Sequence, residues 1–137
     1  MAKDNSNDVL AKYTEMPKNL EAEANFLGAL ILDGKLIEKV RENIGTLDEN
    51  DFFSEKNRII YRTILGRAAT TDDFNTTVLC ADLENKGLLD KAGGIAYVGS
   101  LTELTGPSPA IVEYGQIIID TSRRRKLISV CEHIEKI

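Results

Sequence analysis

The stretch Asp51–Ala69, DFFSEKNRIIYRTILGRAA, decides how the rest of this chain is read. Ile60, Tyr61, Ile64, Leu65 and Ala68 fall at i, i+1, i+4, i+5 and i+8, which a helix of about 3.6 residues per turn gathers onto one broad face. Ser54 stands where an N-cap belongs, its hydroxyl able to accept from an otherwise unpaired amide of the first turn. Phe52 and Phe53 precede it, and at least one of them is expected to fold back over the stripe. A face this wide needs cover on several sides. The stretch therefore predicts the central helix of a small all-helical domain.

On its N-terminal side, Met1–Met16 is polar with scattered bulk and reads as a flexible tail closed by Pro17. Asn19 can cap a helix through Leu32 that turns Leu20, Phe26, Leu27, Leu30 and Ile31 inward. Glu21 and Glu23 suit the positive end of its dipole and read as solvated charges, while Gly28 allows a second helix to approach. Asp33-Gly34 ends it. Lys35–Ile44 repeats the pattern with Leu36, Ile37, Val40 and Ile44, and Gly45 is placed as a left-handed C-cap.

Beyond the central stretch and the polar loop Thr70–Asp73, Asn75 or Thr76 opens a helix carrying Val78, Leu79, Cys80 and Leu83, closed by Lys86 and Gly87. Gly93-Gly94 opens another over Ile95–Leu104, with Tyr97, Val98, Leu101 and Leu104 on one side. The break Gly106–Pro109 supplies Ser108 as cap and Pro109 at the first helical position of a last, long helix to Ile137. That helix has an early apolar set, Tyr114, Ile117 and Ile118, and a late one, Leu127, Ile128, Cys131 and Ile134. The expected fold is all-α: a tail over 1–16, a compact head of about five short helices over 17–106, and a long C-terminal helix over 107–137. The late set has no partner within the chain, which makes Leu127, Ile128, Cys131 and Ile134 candidates for a protein interface.

Composition narrows the function. The 137 residues suit one domain, and 42% apolar content is ordinary for a globular protein. No run approaches the roughly 18 apolar residues of a membrane helix, and no signal peptide opens the chain, so a cytoplasmic location is expected. Seventeen Lys and Arg against 22 Asp and Glu give a charge of −5, which opposes broad binding to a phosphate backbone. Cys80 and Cys131 lack metal or redox spacing and read as free thiols. With His133 as the one histidine, no metal site is expected.

Nothing in the residues amounts to catalysis. Gly28–Leu36 superficially resembles a phosphate-binding loop, but five residues separate Gly28 from Gly34 and Leu36 offers no hydroxyl. No catalytic residue, cofactor site or metal ligand is expected in this chain. The run Arg123-Arg124-Arg125-Lys126 reads first as a solvated helix face, and second as a contact to an acidic partner or to nucleic acid.

The ordered set of these features resembles the N-terminal domain of DnaB-type replicative DNA helicases. The matching residues are Pro17, Glu21-Ala22-Glu23 and Leu27-Gly28, then Asp51-Phe52-Phe53 with Arg58-Ile59-Ile60. They continue through Leu83, Gly87, Leu89, Gly93-Gly94, Tyr97-Val98 and Leu101 to Pro107-Ser108, Tyr114, Arg125 and Ile128. The family often has Tyr at Phe53, His at Asn57 and Pro-Ile-Asp at Asp73-Phe74-Asn75; Asn75 can cap as the Asp does. The resemblance implies a helical head followed by a helical hairpin, of which the last helix here is the first arm. It implies assembly as dimers within a hexameric collar, contact with the C-terminal domain of primase and with a helicase loader, and DNA met through the parent ring. ATP and Mg belong, by the same resemblance, to a separate RecA-like ATPase domain absent from this sequence. The alternatives are a stand-alone helical adaptor that binds helicase or primase, and a nucleic-acid module using Arg123–Lys126.

Overall fold

The computed structural model describes residues 16–104 and 110–136, and among them the chain is all-α: six helices, one 3-10 turn and no strand. The helices are α1 (Leu20–Leu32), α2 (Leu36–Ile44), α3 (Glu55–Ala68), α4 (Thr76–Asn85), α5 (Gly94–Leu104) and α6 (Ile111–Glu135), with the 3-10 turn at Glu49–Asp51. The tail expected before Met16, the Ser108 cap with Pro109, and the Leu104 side chain lie outside the described residues.

Local chemistry explains several helix ends. Asn19 Oδ1 accepts from the Ala22 amide at 2.9 Å and opens α1. Asn75 Oδ1 does the same for Val78 at 3.0 Å and opens α4. Gly87, at φ 69°, carries the chain out of α4 through a conformation that a side chain would strain.

The centre of the fold is α1, not α3. Ala22, Phe26, Leu27, Ala29, Leu30 and Ile31 are all buried, so this helix is apolar nearly all round, as a helix enclosed by others must be. It packs against α6, α5, α3 and α2, whereas α3 packs against α1, α4 and the 3-10 turn. The central stretch still supplies its share of the core: Phe52, Ile60 and Ile64 are fully buried. Phe52 folds back as expected, its ring 4.8 Å from Tyr61 and 6.0 Å from Phe26 between centroids. The Tyr61 hydroxyl donates to the Leu47 carbonyl at 2.9 Å, and burial pushes its pKa up to about 12. Leu20, expected inward, is 47% exposed at the first position of α1.

Ser54 does not cap α3 through its side chain. The cap comes from Glu23, one turn into α1. Its carboxylate accepts from the Phe53 amide at 2.8 Å, the Ser54 amide at 3.4 Å and Asn57 Nδ2 at 2.9 Å. Glu23 is buried rather than solvated, and those donors are what make its burial tolerable. Asn57 Oδ1 in turn accepts from the Tyr97 hydroxyl at 2.6 Å, so one chain of hydrogen bonds ties α1, α3 and α5 together.

The first half of α6 belongs to the same core. Ile111, Gly115, Ile118 and Ser122 are buried, and the helix lies against α1, α2 and the 3-10 turn. The first half of α6 therefore shares the core of the head. Gly115 is a close approach: a Cβ there would stand 2.7 Å from Ile44 Cδ1 and 3.2 Å from the Phe26 ring.

Candidate protein-interaction site

The second half of α6 leaves the head. Leu127, Val130 and Ile134 are 67%, 55% and 62% exposed, Cys131 is exposed, and Ile128 is half-buried. Leu127, Ile128, Cys131, Glu132 and Glu135 line a hollow of about 210 Å³. Large apolar side chains gathered in this way on one solvated helix mark a surface made to be covered. All four residues expected at the interface lie on this segment, and Val130 joins them. The Cys131 thiol is exposed, whereas burial pushes the half-buried Cys80 thiol up.

The basic run is divided by the helix period. Arg123 and Arg124 face solvent, but Arg125 turns back onto the head. It donates to the Pro17 carbonyl at 2.9 Å and the Asp51 carbonyl at 2.6 Å, and its guanidinium carbon lies 5.6 Å from the Phe53 ring centroid. Partial burial holds its pKa below the usual arginine value. Lys126 Nζ lies 3.5 Å from Asp51 Oδ1. The four side chains therefore do not form one contact surface.

Sequence reading passed over the residue at the root of this segment, Asp51. Its Oδ1 accepts from Ser122 Oγ at 2.7 Å, and its Oδ2 accepts from the Asp48 amide at 2.8 Å. The available signal was positional: Ser122 follows Ile118 by four residues, and so shares the buried face of the helix.

A larger hollow of about 770 Å³ lies between α2 and the end of α3, with Ile37, Leu65 and Ala68 among its lining. Of the charged side chains that line it, Arg41 pairs with Glu38 at 2.8 Å, and among the described residues no nucleophile with a base converges on it. Among the described residues no group of three His, Cys, Asp or Glu side chains is placed to share a metal ion. No described helix is long and apolar enough to cross a membrane. What the surface offers is an apolar helix face and its flanking charges, which is the equipment for binding protein.

The DnaB-like helicase N terminal domain family matches residues 15–120. The chain is 32% identical over 132 residues to the replicative DNA helicase DnaB of Buchnera aphidicola subsp. Baizongia pistaciae, covering 96% of this chain and 28% of that protein. It is 35% identical over 119 residues to replicative DNA helicase DnaB of Treponema pallidum, covering 86% and 26%. The chain thus spans about a quarter of the length of these relatives. In fold it is similar to the crystal structure of the N-terminal domain of DnaB helicase from Mycobacterium tuberculosis, at TM-score 0.82 and 24% identity over 89% of this chain and 85% of that one. The chain belongs to the DnaB-like helicase N-terminal domain family.

Proposed function

We propose that this chain is the collar domain of a hexameric, ATP-dependent replicative DNA helicase: non-catalytic itself, holding ring subunits together and receiving primase. The observation that carries this reading is the exposed apolar face of distal α6 on a domain of a helicase family. Leu127, Cys131 and Ile134 would be covered by a second hairpin helix or by a neighbouring subunit, each large apolar group contributing roughly 1.5–3 kcal/mol when fully buried. The C-terminal domain of primase, and a helicase loader, are the further partners of the assembled collar. ATP and Mg would be held by a separate RecA-like domain of the same protein, and DNA would be met through that ring. The location is the cytoplasm, where replication machinery works.

The test is the intact mass of the native gene product. A mass well above the 15.1 kDa of this chain, with a phosphate-binding loop beyond Ile137, supports the collar. A native product ending at Ile137 would contradict it and leave a stand-alone adaptor.

A further inference from the structure

Two contacts fix how the start of α1 lies against α6. The Phe26 ring faces Gly115, where a Cβ would stand 3.2 Å from it, and the Pro17 carbonyl accepts from Arg125 Nη1 at 2.9 Å. Followed back from Phe26 to Pro17, the chain therefore runs along α6 toward its distal half. Met16 and Pro17 are half-buried, and Lys18 Nζ lies 4.7 Å from the centroid of the Phe53 ring that Arg125 also faces. Continued in that direction, the preceding residues leave the head toward Ile128, one turn beyond Arg125.

At about 100° per residue, the distal apolar side chains do not share one stripe. Val130, Ile134 and Leu127 lie about 80°, 120° and 140° from Ser122 around the axis, Cys131 about 180° and Ile128 about 240°. That arc of about 160° is wider than the roughly 100° of one packed face, so a partner seated on Leu127 and Ile134 leaves Ile128 uncovered. Arg125, at about 300°, stands on the Ile128 side, and Pro17 delivers the chain to that flank. Glu132 and Glu135 border it in the hollow of about 210 Å³, and among the described residues neither is in an ion pair.

The sequence that arrives there carries the complement. Val9, Leu10 and Tyr13 are spaced i, i+1 and i+4, which one helical turn gathers onto one side with Lys12 at its edge. From Tyr13 to Pro17 the chain can span about 13 Å. Cys131 stands about 9 Å up α6 from Arg125, within that reach. We propose that Val9–Tyr13 docks on the Ile128 flank of distal α6, its apolar side against Ile128 and Lys12 beside Glu132 and Glu135. The chain thus covers one flank of its own exposed helix and leaves Leu127, Val130 and Ile134 for a partner. This contact is independent of the collar reading.

Amide and methyl NMR of the full chain, recorded over a dilution series, tests it. Leu10→Asp with Tyr13→Asp alters only residues outside the head, so its fold is kept. Resonances of Ile128, Glu132 and Glu135 should shift between parent and variant while those of Phe26, Ile60 and Ile111 stay. Lys12→Glu should move the same distal group. Shifts confined to the sequence neighbours of the substitutions would overturn the proposal. So would shifts gathered elsewhere on the head, which would seat the segment there. Ile128 shifts that follow concentration alike in parent and variant would also overturn it, because a second copy of the chain would then occupy the flank.

Discussion

Glu23 and Asn57 meet at 2.9 Å with both side chains buried, 34 positions apart in sequence, and between them they cap α3 and join it to α5 through Tyr97. Glu23→Ala would leave the Phe53 and Ser54 amides and the Asn57 amide group without their acceptor. A loss of about 2–3 kcal/mol is expected, because each buried donor left unpaired is penalised. Glu23→Gln keeps one acceptor oxygen but aims an NH2 at other donors, and should fall between. Urea unfolding of the two variants checks the order; equal stability of Glu23→Ala and the parent would refute this role.

Two glycines that would both crowd a side chain should behave differently. At Gly34 a Cβ would stand 2.4 Å from the Asp72 carbonyl oxygen and 2.9 Å from the Phe74 ring, and a backbone oxygen cannot step aside. At Gly115 the closest atom is the tip of Ile44, which can move, and alanine regains about 1 kcal/mol of helix propensity. Gly34→Ala should therefore destabilise clearly, by about 1–3 kcal/mol, while Gly115→Ala stays near neutral. Adding Ile44→Val to Gly115→Ala should improve on the single change. Thermal melts of the three variants give the ranking.

Arg67 reaches across from α3 to α4, donating to both Asp82 oxygens at 2.6 and 2.8 Å. The Arg67 hydrogen bonds hold the Asp82 carboxyl below the usual carboxylate range. A carboxyl whose pKa is lower folded than unfolded contributes stability above its unfolded pKa and loses it as pH falls through the folded value. Asp82→Asn should thus lower neutral stability slightly, since the pair is partly solvated, and reduce the loss toward acid by the same amount, so that parent and variant converge at low pH. Melting curves from pH 7 down to about pH 3 check this; parallel profiles for parent and variant would contradict it.

The thiols should separate in rate. Cys131 is exposed, whereas Cys80 is half-buried with its pKa raised by burial, so fewer thiolates form there. Limited alkylation of the isolated chain should modify Cys131 first. In an assembled ring that covers distal α6, Cys131 should become protected. Peptide mass mapping of the two states reads both effects.

The sequence was legible where the chemistry is local. Asn19 and Asn75 cap the amides three residues on, and Gly87 adopts the positive φ that a helix exit needs. Exposed Leu127 and Ile134 were equally readable, because none of the described residues covers their stripe. Legibility ended where a side chain is satisfied from afar. Ser54 looked like the cap of α3, but Glu23 takes that place from another helix, and no local pattern encodes it. For the same reason Glu23 read as solvated and Arg125 as part of a uniform basic face, although its partners lie at Pro17 and Asp51. The centre of the fold was misplaced for a different reason. A broad apolar face marked α3, while the nearly unbroken run Phe26–Leu32 in α1 is the mark of a helix enclosed on all sides.

The collar reading stands or falls on what distal α6 is for. Sedimentation velocity of the native gene product carrying Leu127→Asp, beside the unsubstituted protein, tests it most directly. A charge in place of a covered leucine should break the ring into smaller species, or weaken it to a strongly concentration-dependent one, and Ile128→Asp should act in the same direction. A variant that sediments as the parent does, and binds the primase C-terminal domain as tightly, would contradict the account.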